Sequence, residues 1–91
     1  MERLTAQEEE IMLYIWKLGS CFIRDILNEM PEPRPPYTSV ASVVRNLERK
    51  KYVRPKKYGT ITEFSPLVKE AEYKRIFMSN VVRNYFTGSY K

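Results

Sequence analysis

The chain has no histidine and a single cysteine, Cys21. Imidazole acid–base catalysis and a His/Cys metal centre cannot be assembled from that inventory. One thiol cannot close an internal disulfide, and only a low-pKa, exposed thiolate would make Cys21 a redox sensor. The three glycines form no phosphate-cradling loop, and no nucleophile elbow is present. No apolar run approaches the roughly 20 residues of a membrane span, and Met1-Glu2-Arg3-Leu4 lacks the apolar segment of a secretory signal. These gaps lead us to expect no enzyme, no cofactor, no metal and no membrane insertion, in a protein of the cytoplasm.

What remains is the composition of one small folded domain: 91 residues, 43% apolar and 13% aromatic. The net charge of +5 is unevenly placed. Residues 2–32 carry three basic and seven acidic groups, whereas residues 34–62 carry eight basic groups and one acid. A basic middle third in so small a domain makes a localised electropositive face, which suits a polyanion.

Thr5 and Glu8 have the spacing of a capping box, and Glu8, Glu9 and Glu10 fall in the first turns of a helix, where its dipole favours solvated carboxylates. Ile11, Ile15 and Leu18, with Met12 and Trp16 beside them, form its inner face, and Gly19 ends it. After a turn at Gly19-Ser20-Cys21, the residues Ile23, Ile26, Leu27 and Met30 repeat the helical spacing. Prolines at 31, 33, 35 and 36 then make a stiff connector, because they remove donors and restrict the preceding residues.

A third helix is predicted from Thr38 to about Lys51, with Val40, Val43, Val44 and Leu47 on one buried stripe. Ser39, Ser42, Asn46 and Arg49 lie opposite, flanked by Thr38 and Arg45. Small hydroxyls let a helix approach a groove closely, while Arg and Asn read guanine and adenine edges. Thr38, Ser39, Ser42, Arg45 and Asn46 are therefore the candidates for reading bases. Two short strands, 52–57 and 60–65, flank Tyr58-Gly59, with Val53, Ile61 and Phe64 expected inward and Pro55 marking an edge strand. Arg49, Lys50, Arg54, Lys56, Lys57, Tyr58 and Thr60 are the candidates for contacting the DNA backbone. Helix, helix, helix and basic ribbon is the order of a winged helix-turn-helix, mainly α with a small two-stranded β wing.

A last helix is predicted from Lys69 or Glu70 to about Phe86. Its apolar residues spread over more than one face, which calls for a second chain. Phe77, Val81, Val82, Tyr85 and Phe86 are the dimerisation candidates. Residues 1–68 are thus expected to form the DNA-binding domain and residues 69–91 the start of a dimerisation region that continues beyond Lys91. A winged helix serving as a protein-interaction module is the rival reading, but such a module would place apolar groups on the outer face of the third helix.

The motifs Leu4-Thr5 with Glu8–Glu10, Ile15-Trp16-Lys17-Leu18-Gly19, Asp25-Ile26-Leu27 and Tyr37-Thr38-Ser39-Val40 come in a characteristic order. Leu47-Glu48-Arg49-Lys50-Lys51-Tyr52-Val53, Tyr58-Gly59-Thr60, Pro66-Leu67-Val68 and Phe86-Thr87-Gly88-Ser89 continue it. Together they resemble the penicillinase-repressor family, the BlaI/MecI-type winged-helix regulators, over nearly the whole chain. The resemblance implies a homodimer that binds a palindromic double-stranded DNA operator and represses resistance genes. It also implies release when a regulatory protease system cleaves the C-terminal dimerisation region. The family often has Arg where Asn46 stands and Gly where Lys51 stands.

Overall fold

The computed structural model describes residues 1–77 of the chain. Its elements run α1 (Ala6–Leu18), β1 (Cys21–Phe22), α2 (Ile23–Glu29), α3 (Tyr37–Arg49), β2 (Val53–Tyr58), β3 (Ile61–Pro66) and α4 (Glu70–Phe77). Three helices pack around one core, and a sheet in the order β1-β3-β2 closes its side. This is a winged-helix arrangement with one correction to the expected wing. The sheet has three strands rather than two, because Cys21 and Phe22 pair with Phe64 and Glu63 on β3. Ser20 and Ser65 tie the same junction with a hydroxyl–hydroxyl bond of 2.7 Å.

The start of α1 is fixed by the expected capping box. The Glu8 amide donates to Thr5 Oγ1, and the Thr5 amide donates to Glu8 Oε1 at 2.9 Å. The glutamates depart from expectation, since Glu8 is buried and Glu9 accepts the Tyr73 hydroxyl, leaving Glu10 as the solvated member. α2 is short. Asp25 accepts from the Phe22 amide at its start, and Arg34 donates to the carbonyls of Met30 and Asn28 at its end.

In α3 the residues Val40, Ala41, Val43, Val44 and Leu47 are buried, so the predicted stripe is the one that meets α1 and α2. Fully burying a side chain such as Leu47 contributes about 1.5–3 kcal/mol. The helix ends in a Schellman motif, with the Tyr52 amide donating to the Leu47 carbonyl and the Lys51 amide to that of Glu48. Leu47 and Tyr52 are both fully buried, which supplies the apolar contact usual to that motif. Lys51 holds φ at +68°, the position where glycine is usual.

Val53 and Phe64 point inward as expected, but Ile61 is 54% exposed. Ile61 and Phe64 are three residues apart on one strand, so the two-residue alternation puts them on opposite faces. The strands turn through Gly59 and Thr60 between the paired residues Tyr58 and Ile61. Gly59 there takes φ +63°, as the first loop residue of a tight hairpin turn requires. Pro55 lies on the edge strand β2, where its missing donor costs no ladder bond.

Against this core α4 places Tyr73, which is buried among the rings of Trp16, Tyr52 and Phe77. Its hydroxyl accepts from the Leu4 amide and donates to Glu9, and Trp16 donates to the Val68 carbonyl at 2.7 Å. The segment after the wing is thereby held against α1.

Candidate nucleic-acid interface

The buried residues of α3 define its outer side. At 100° per residue the line farthest from the core runs through Thr38, Ser42, Arg45 and Arg49, and all four are exposed. Ser39 and Asn46 sit to one side of that line. Asn46 is half-buried, and Ser39 borders a depression of about 280 Å³ with Gln7, Glu10, Val43 and connector prolines. The other side faces the wing. There Tyr37, Ala41 and Arg45 border a depression of about 290 Å³ whose far wall includes Pro55, Lys57 and Ile61.

The wing distributes its cations over two faces. Val53, Pro55 and Lys57 share the face toward α3, while Arg54, Lys56 and Tyr58 share the opposite one. Lys56 Nζ lies 5.4 Å from the centre of the Tyr58 ring. Tyr58 in turn meets Phe22 edge-on at 6.4 Å, and Thr60 sits exposed at the tip. Among the described residues, Arg45, Arg49, Arg54, Lys56 and Lys57 make no ion pair with a carboxylate. An exposed strip of hydroxyl and guanidinium groups thus lies next to an edge strand of unneutralised cations. Such a surface binds phosphates and can present donors to base edges.

Lys50 does not belong to that strip. Its ammonium donates to Glu8 Oε1 at 2.6 Å, where both side chains are largely shielded from solvent. The expected phosphate contact is replaced by an internal pair that fastens the C-terminal end of α3 to the start of α1. Burial works to raise the Glu8 pKa. The hydrogen bonds from Lys50 and the Thr5 backbone, with the Lys50 charge, outweigh it and hold the carboxyl below its usual range.

Cys21 is buried on β1, and its thiol is pushed up to about 11 by burial and by the nearby Asp25 and Glu63 carboxylates. A thiol so placed is a small core residue rather than a reactive one. Of the dimerisation candidates, Phe77 packs 4.9 Å from the Tyr73 ring, against the domain's own core. Val81, Val82, Tyr85 and Phe86 lie outside the described residues. Among the described residues no helix is long and apolar enough to cross a membrane.

Two further exposed residues border this surface, Tyr37 at the first position of α3 and Ile61 beside the wing tip. Both are about half exposed, although Ile61 is expected inward from its apolar character. The signal available for Ile61 was its odd spacing from Phe64.

The sequence profile of the penicillinase repressor family matches residues 4–91, nearly the whole chain. No curated protein sequence matches the chain.

Proposed function

The chain belongs to the penicillinase repressor family, and on that premise we propose that it is a sequence-specific DNA-binding repressor of transcription. In this reading it works in the cytoplasm and binds a palindromic operator as a homodimer. α3 lies in the major groove with its N-terminal half deepest, and the wing rests on the backbone. Thr38, Ser42 and Arg45 meet base edges, with Ser39 and Asn46 at the border of the contact. Arg49, Arg54, Lys56, Lys57, Tyr58 and Thr60 meet phosphates and sugars. Residues 69–91 begin the dimerisation region, and release by a regulatory protease would act on that C-terminal part.

One observation supports this most directly. The side of α3 away from the core is covered by no other described segment, and it carries hydroxyls and arginines beside an edge strand of cations. An internal packing face would carry apolar groups there. The family is one of transcriptional regulators.

Selection of bound sequences from a random duplex pool tests the proposal. The expected result is a two-fold symmetric consensus. If about six phosphates are neutralised, log affinity should fall with log salt at a slope near −5. Recovery of no preferred sequence would overturn specific recognition.

A further inference from the structure

Tyr52 stands where the end of α3 meets the segment that follows the wing. Its amide donates to the Leu47 carbonyl in the turn that closes α3, and its carbonyl accepts the Leu67 amide at 2.8 Å, just after β3. Its buried ring meets that of Tyr73 edge-on at 5.8 Å. The same segment is tied to α1, because Trp16 donates to the Val68 carbonyl at 2.7 Å. One turn into α4, the Tyr73 hydroxyl accepts from the Leu4 amide and donates to Glu9. Glu8, next to Glu9, holds Lys50 just past the last residue of α3. Apolar burial is non-directional and by itself would let a helix slide or tilt. Hydrogen bonds at Val68 and Tyr73 fix the direction of α4 as well as its place, and Tyr52 refers that direction to the end of α3.

We propose that Tyr73, with Trp16 and Tyr52, acts as a positioning residue that holds the dimerisation region at a fixed angle to α3. The protein thereby selects the spacing of two half-sites as well as their sequence. The inference rests on the reading of the chain as a dimeric DNA-binding protein and names a further property of that recognition. One base pair added between half-sites moves them apart by about 3.4 Å. It also turns one of them about the duplex axis by roughly 35°. A dimer whose recognition helices are locked to their dimerisation segments cannot follow that displacement and keeps only one half-site. A dimer with a loose joint follows it.

The test uses the full chain and four duplexes: the selected operator, the same operator lengthened or shortened by one central base pair, and a single half-site. Affinities are measured by competition for the unaltered protein, Tyr73→Phe, Trp16→Phe and Tyr73→Leu, with thermal denaturation of each. The two phenylalanine variants keep a ring in place and remove one directional tie each, so they remain folded if Tyr73→Leu does not. A shifted operator should bind the unaltered protein about 100-fold more weakly, because the second half-site is lost. Both phenylalanine variants should narrow that ratio, and Tyr73→Leu should bring it below about tenfold. Affinity for the single half-site should stay unchanged in all three. Unchanged spacing ratios in the folded variants, or losses in proportion on all four duplexes, overturn the positioning role and leave Tyr73 a core anchor. An unaltered protein indifferent to spacing overturns it too. A selected consensus with one half-site removes the dimer and this inference but leaves recognition by α3 standing, whereas no consensus at all removes the DNA-binding reading itself.

Discussion

α1 and α3 are both thirteen residues long, and each buries one stripe against the other, yet they use their polar groups in opposite ways. α1 is acidic, and two of its three carboxylates turn inward: Glu8 caps its own helix and holds Lys50, and Glu9 holds Tyr73. α3 opens on Pro36 without a side-chain cap and keeps its hydroxyls and arginines in solvent. One helix commits charges to the fold; the other leaves them in solvent. The contrast shows why a basic middle third alone was a poor guide to the interface. Lys50 and Arg34 are basic and lie in that third, but their donors serve Glu8 and the end of α2.

The sharpest way to break this contrast is at Glu8. Glu8→Gln leaves a largely buried ammonium without its charge partner, and the loss should be about 3 kcal/mol of folding stability, at the low end for a buried pair. Chemical denaturation at neutral pH measures it. The sign of the pH dependence follows from the lowered pKa of Glu8. The carboxylate's contribution is full above the usual glutamate pKa, and it is lost as pH falls through the lower value of the folded state. The unaltered protein should therefore weaken across that acidic window by more than Glu8→Gln does. Parallel curves for the two proteins would show that the pair contributes nothing.

On the other helix the same kind of truncation should leave the fold alone. Arg45→Ala removes an exposed side chain and should change stability by no more than about 0.5 kcal/mol. It should weaken operator binding by about 1–3 kcal/mol if the guanidinium reads a base. Random duplex should lose far less. Competition binding together with thermal denaturation reads both quantities; equal losses on the two duplexes would reduce Arg45 to a phosphate contact.

The wing sharpens the comparison further. Lys56→Ala and Lys57→Ala should weaken operator and random duplex alike, each lowering the salt slope by about 0.9 if it neutralises one phosphate. Lys57 faces α3 and Lys56 lies over the Tyr58 ring on the far face. The Lys57 variant should therefore show the larger change in a salt titration.

What was legible in the sequence was whatever short-range periodicity encodes. The Thr5–Glu8 box, the valine stripe of α3 and the edge role of Pro55 each depend on neighbours a few residues away. What escaped was set by distant partners. β1 is two residues long and has no period of its own; it exists because β3 lies beside it. The Lys50–Glu8 and Tyr73–Glu9 contacts span 42 and 64 residues, so nothing local separates these glutamates from solvated ones. The edges of the outer face also escaped, because partial burial of Asn46 and exposure of Tyr37 depend on segments far along the chain rather than on the helical period.

The smallest effect concerns the junction where α3 hands the chain to the wing. Lys51 occupies the left-handed region at φ +68° and is exposed, with no ion pair among the described residues. A side chain in that region costs about 1–2 kcal/mol relative to the ordinary helical region. Glycine removes that cost, but its greater freedom in the unfolded chain returns about 0.5–1 kcal/mol. Removing a cation next to a helix C-terminus also costs about 0.3–1 kcal/mol when exposed. At the centre of these ranges the three terms nearly cancel, so Lys51→Gly should gain only about 0.1 kcal/mol at low salt, and thermal denaturation should show a near-unchanged midpoint there. Raising the salt screens the dipole term but not the backbone term, so the gain should grow with ionic strength. A Lys51→Gly protein less stable than the parent at high salt would mean that the lysine side chain holds the α3–wing junction by packing, and that the Schellman turn is not where its backbone is strained.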